Sequence, residues 1–146
     1  MKAILLRRTG APSVLEYTEV PTPTPGAGEV LVRADTIGVS MPETLVRKGT
    51  YAWMPRLPVI PGIEMSGTIA ACGSGVTDRA IGEPVLVSAR DLPVRAGCYA
   101  EYIAVPSRAL TNTGSPIARS VTPEPHAAMV PLISMPGIAG SGGIQA

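Results

Sequence analysis

No phenylalanine occurs in this 146-residue chain, and tryptophan and histidine occur once each. Aromatic residues make up 3% of it against a hydrophobic fraction of 45%, so a core has to be built from Val, Ile, Leu, Ala and Met. The single His126 and the two cysteines, Cys72 and Cys98, cannot complete a four-coordinate zinc site of His and Cys ligands, and no Cys-x-x-Cys occurs. On spacing alone a Cys72–Cys98 disulfide stays open, but in a cytosolic chain the pair reads as small buried thiols. An excess of one charge is also missing. Twelve Lys and Arg stand against 11 Asp and Glu, with no long block of like charge, which excludes the footprint of a nucleic-acid or anionic-membrane partner. The apolar run at the start spans only Ala3 to Leu6, short of the roughly 7–15 residues of a signal peptide and the about 20 of a membrane span. A soluble, cytoplasmic protein is expected.

What the chain has in quantity is turn chemistry: 16 Gly and 16 Pro, an all-β signature more than an α/β one. Lys2 to Leu6 reads as an opening strand, and Leu15 to Val20 alternates apolar and polar residues as a half-buried strand does. Pro21 to Gly28 is held extended by its prolines; it could serve as an interdomain linker, but at this length a loop crossing a barrel end is expected. Glu29 to Val39 is the longest strand-like run, with Val30, Val32 and Ala34 on one face, Leu31, Arg33 and Asp35 on the other, and Gly38 as the expected break. Pro42 to Gly49 carries helix start and stop signals and predicts one or two helical turns. Met65 to Ala71, Val85 to Ser88 and Tyr99 to Val105 are further short strands, and such spacing indicates a sandwich or barrel. Beyond about Arg108 breakers dominate. The expected organisation is one mainly β domain over residues 1–110 and an irregular, breaker-rich, poorly ordered tail over 111–146.

The segment from Pro58 to Gly67 reads Pro-x-x-Pro-Gly-x-Glu-x-x-Gly. With Pro25-Gly26-x-Gly28-Glu29-Val30, Gly38-Val39, Arg47-x-Gly49-x-Tyr51, Gly73-x-Gly75-Val76 and Tyr99-Ala100-Glu101-Tyr102, it resembles the N-terminal, GroES-like domain of the medium-chain dehydrogenase/reductase superfamily. In that family's zinc enzymes a ligating His stands where this chain has Ile63. The resemblance is therefore to the zinc-free quinone oxidoreductase, or zeta-crystallin-like, branch. It implies a partly open, GroES-like β-barrel with one or two short helices. It also implies hydride transfer from NADPH to quinones or α,β-unsaturated carbonyls, without zinc. The chain ends at Ala146, before the Rossmann domain such an enzyme uses. By itself it is expected to be inactive and not to bind NADPH, with that domain supplied in trans or missing.

The same resemblance points to Ser40, Glu43, Tyr51 and Trp53 as one wall of the substrate cleft, with Ser40 also touching the cofactor. Ser40 stands where quinone reductases have Asn, Glu43 where they have Asp, and Leu45 where several have Tyr. Each has a plainer reading. Ser40 suits a cap on the Pro42 turn, Glu43 the positive end of a helix dipole, and Tyr51 a packing contact with Trp53. Glu64 reads as a residue that orients backbone, Arg47 and Lys48 as a solvated helix end, and Pro84 as the start or edge of a strand. His126 has no recognisable partner, and Gly137 to Gly143 only echoes a dinucleotide loop, with no strand before it or helix after it. Two other readings stay open. One is a barrel used for binding or assembly, including homo-oligomerisation. The other is a frameshifted remnant, with Ala127-Ala128-Met129-Val130 a trace of the helix that follows in the family.

Overall fold

The structure is a computed structural model, and it describes residues 1–112 and 128–131. Its elements are β1 (Lys2–Leu6), β2 (Leu15–Glu19), β3 (Glu29–Val39), α1 (Met41–Lys48), β4 (Glu64–Cys72), β5 (Pro84–Ser88), β6 (Tyr102–Pro106), β7 (Leu110–Asn112) and β8 (Ala128–Pro131). Short 3-10 turns cover Pro12–Val14, Ala89–Asp91 and Ser107–Ala109. A six-stranded antiparallel sheet runs β6-β3-β4-β5-β7, with β8 also on β3, and curls into a half-barrel. β1 and β2 form a separate two-stranded ribbon, attached through bridges Ala3–Ala100 and Leu6–Val59. This is the mainly β, GroES-like architecture that the sequence implies.

β3 is the spine. Val30, Val32 and Ala34 are buried and Arg33 and Asp35 exposed, as the alternation predicts. Irregularities in its pairing with β4, between Leu31 and Val32 and between Ala34 and Thr36, add bend and twist, which is how a sheet edge rolls towards closure. Gly38 does not end this strand, contrary to expectation. β3 runs on to Val39, and the absent side chain of Gly38 gives room to Glu64, whose side chain a Cβ there would strike. The far edge of β3 is shared: β6 pairs with Glu29 to Arg33, and β8 with Thr36 to Val39. Ala128 to Pro131 is thus strand, not a helical trace, because the second half of β3 presents unpaired backbone groups once β6 has ended. His126 and Gly137 to Gly143 lie outside the described residues.

Two apolar clusters hold the fold. The larger joins Val30, Val32, Ile37, Met65, Ile69, Val85, Val87 and Val105, with Cys98 and Tyr99 inside it. The smaller joins Leu6, Val46, Val59 and Ala96, with Tyr51 and Leu57 packed on it, and fastens α1 to the barrel. β5 begins at Pro84, opposite Thr68, so the proline stands at the end of the ladder. Tyr99 and Ala100, expected in a strand, precede β6 instead. Their backbone is spent elsewhere: the Tyr99 N–H donates to the Pro61 carbonyl (2.9 Å), and the Tyr99 carbonyl accepts from Ile4 (2.8 Å). Both cysteines are free thiols, Cys98 fully buried. Among the described residues no helix is long and apolar enough to cross a membrane.

Candidate functional site

β3 hands the chain to Ser40, whose backbone is extended (φ −132°, ψ 179°) before α1 begins. Ser40 is the N-cap, and Pro42 sits in the first turn, where a missing N–H leaves no hydrogen bond unmade. Glu43 follows as the third helical residue. It is only 6% exposed, and its carboxylate accepts three hydrogen bonds. Oε2 takes the Ser40 N–H (3.0 Å) and the Ser40 hydroxyl (2.8 Å), and Oε1 takes the Ile63 N–H (3.1 Å). The bond to the Ser40 N–H is an arm of a capping box, a local device. The bond to Ile63 is tertiary: it pins the helix start to the loop entering β4. Ile63 itself is core, 5% exposed.

The Pro61-Gly62-Ile63-Glu64 turn is fixed from its other side by the Cys98–Tyr99 segment. The Cys98 N–H donates to the Gly62 carbonyl (3.1 Å), and the Tyr99 ring lies so close to Gly62 (φ +95°) that only glycine fits. Four chemically active groups thereby share one buried neighbourhood: Glu43, Glu64, Cys98 and Tyr99. Burial first, then the negative charge of Glu43, pushes the Cys98 thiol and the Tyr99 phenol well above their ordinary values, so both stay protonated at neutral pH. The Tyr99 hydroxyl is buried and has no protein partner among the described residues.

The four sequence-nominated residues come together as two pairs. Ser40 and Glu43 are joined by hydrogen bonds. Tyr51 and Trp53 meet edge to face, with ring centroids 5.7 Å apart and planes at 71°. Tyr51 also packs on the cluster containing Val46 of α1, while Trp53 is 61% exposed. Arg47 is not a solvated helix end: its guanidinium donates to the Gly10 carbonyl, and the Gly10 N–H returns a bond to the Arg47 carbonyl (2.8 Å). Lys48 is exposed.

Sequence reasoning missed the reach of Glu43 to Ile63, which joins residues 20 positions apart and leaves no periodic signal. It also missed an open cleft of about 830 Å³ between residues 53–59 and 93–95, with Arg56, Arg95 and Trp53 in its lining. Among the described residues no three His, Cys, Asp or Glu groups stand close enough to hold a metal ion.

Residues 26–115 match the family described as the alcohol dehydrogenase GroES-like domain, and the chain belongs to that family. Its relatives include quinone oxidoreductases. It is 36% identical over 103 residues to the quinone oxidoreductase of Lama guanicoe, covering 70% of this chain and 30% of that protein. It is 39% identical over 85 residues to the rat synaptic vesicle membrane protein VAT-1 homolog, covering 58% of this chain and 20% of that protein. Among solved structures, mycobacterial Rv1454c complexed with NADPH superposes with a TM-score of 0.66 at 35% identity, over 77% of this chain and 33% of that one. The chain thus spans between a fifth and a third of the length of these relatives.

Proposed function

We propose that this chain is the acceptor-side wall of an NADPH-dependent reductase of quinones or α,β-unsaturated carbonyls, zinc-free, cytoplasmic, and inactive as this chain alone. The observation that carries the reading is the Glu43 junction. It ties the Ser40 hydroxyl at the mouth of α1, through one carboxylate, to Ile63, which stands where the family's zinc enzymes have a metal ligand. NADPH, held by a nucleotide-binding domain in the same assembly, supplies the hydride. This chain's part is to seat the acceptor and exclude water. The exposed Trp53 face, backed by Tyr51, offers an apolar platform for a flat acceptor. As negative charge gathers on the acceptor oxygen, the Ser40 hydroxyl turns to it. Glu43 Oε2 keeps the Ser40 N–H as its donor through that turn, so the helix start stays in place. Quinone oxidoreductases among the relatives, and NADPH in the complex of Rv1454c, support this choice of acceptor and donor.

The test is a pair of titrations of this chain followed by its backbone amide resonances. Cyclohexenone or menadione is expected to shift the amides of Ser40 and Tyr51 saturably, and NADPH is expected to leave the spectrum unchanged. Saturable NADPH binding, or acceptor binding that bypasses Ser40 and Tyr51, contradicts the reading.

A further inference from the structure

We propose that the cleft between residues 53–59 and 93–95 is a binding site for small anions with a flat apolar body, of the aromatic carboxylate class. It is a broad cleft open to solvent, about 830 Å³, with room for far more than an inorganic anion. Trp53, Leu57, Pro58 and Val94 form apolar walls, Arg56 and Arg95 supply two positive charges, and no carboxylate is among the described residues that line it. Neither guanidinium has an acidic partner among the described side chains. Arg7, by contrast, pairs with Glu16 (3.1 Å).

Two details show that Arg95 is held in place. Its guanidinium lies 5.6 Å from the centre of the Trp53 ring, a cation–π contact that holds the charge at the edge of the cleft. Its backbone is left-handed, φ 51°, the only such residue other than glycine among the described residues. That conformation costs about 1–2 kcal/mol for a residue with a Cβ. A glycine there would relieve the strain and lose the charge. The geometry therefore matches an anion whose carboxylate meets the two arginines and whose ring lies along Trp53 and Leu57. A bare phosphate would leave those walls unused.

The site adjoins the proposed acceptor platform at Trp53, and its test uses neither cofactor nor turnover. Trp53 is the only tryptophan, so its indole N–H gives a single resonance that reports on this cleft. Naphthoate is titrated against the full chain, with the neutral naphthamide and inorganic phosphate as comparators. Naphthoate is expected to shift the indole resonance saturably and to bind at least tenfold tighter than either comparator. R56Q and R95Q change exposed side chains, keep the fold (R95Q moving the unliganded Trp53 indole resonance, from which its own titration starts), and are each expected to weaken naphthoate about tenfold, the equivalent of about 1.4 kcal/mol. No saturable shift, equal affinity for naphthamide or phosphate, or unchanged affinity in both variants overturns the proposal. Those results leave the Ser40 and Tyr51 response to neutral acceptors untouched, so the two readings fail separately.

Discussion

Glu43→Ala is expected to cost about 3 kcal/mol or more in urea unfolding, and Glu43→Gln clearly less. The carboxylate is buried and accepts from two backbone donors, the N–H groups of Ser40 and Ile63. Hydrogen bonds to a charged group contribute roughly 1.5–3 kcal/mol each, and a buried donor left without a partner costs about 1–3 kcal/mol. Water entering the space left by the side chain offsets part of that sum, which is why the expectation stays near its lower end. Gln keeps one carbonyl oxygen in place for one of the two N–H groups. It turns an NH2 towards the other, so roughly half the loss is expected. If Ala costs under about 1 kcal/mol, the junction is not organised by this carboxylate. A local cap alone is worth about that much.

The second large effect is expected at Gly67, the last residue of the Pro-Gly-x-Glu-x-x-Gly segment. It sits on β4 opposite Ala34, and a Cβ there would run into the Arg33 carbonyl oxygen, with Val32 Cγ1 at 2.8 Å. The first obstacle is backbone of the spine strand and cannot rotate away as a side chain can. Gly67→Ala therefore has to push β3 from β4 in the middle of the sheet, at about 3 kcal/mol or more. Gly75→Ala is the matching control. Its φ is +77° with nothing within 4 Å of the added carbon, so only the conformational cost of about 1 kcal/mol is expected. Urea midpoints of the two variants check this. Equal losses would mean that the strands yield at Gly67 and that its place in the motif has another cause.

These two residues also show what could be read in advance. The alternation of Val30, Val32 and Ala34 is a property of neighbouring residues, so the inner face of β3 was visible in the chain, as were the proline and glycine that bound α1. Gly67 was visible as a motif letter without its reason, because the reason is a carbonyl on another strand. Gly38 misled for the same cause: a strand-breaking residue was needed inside a strand to admit Glu64. Ser40 and Glu43 were nominated with their plain readings beside the functional ones. The capping arm is local and was foreseeable, whereas the bond to Ile63 is set by tertiary closure. Arg47 was read as solvated since Gly10, its partner, lies 37 positions away. Arg56 and Arg95 carry no pattern at all. Only the fold sets two separate turns side by side with a tryptophan between them.

The claim that this chain seats the acceptor is tested most directly by turnover. The chain is joined to the nucleotide-binding domain of a quinone oxidoreductase relative, and NADPH oxidation is followed with menadione or cyclohexenone as acceptor. The joined protein is expected to reduce at least one of them, with Tyr51→Ala lowering kcat/KM about tenfold or more and this chain alone showing no reaction. A joined protein that folds and binds NADPH yet reduces neither acceptor contradicts the claim.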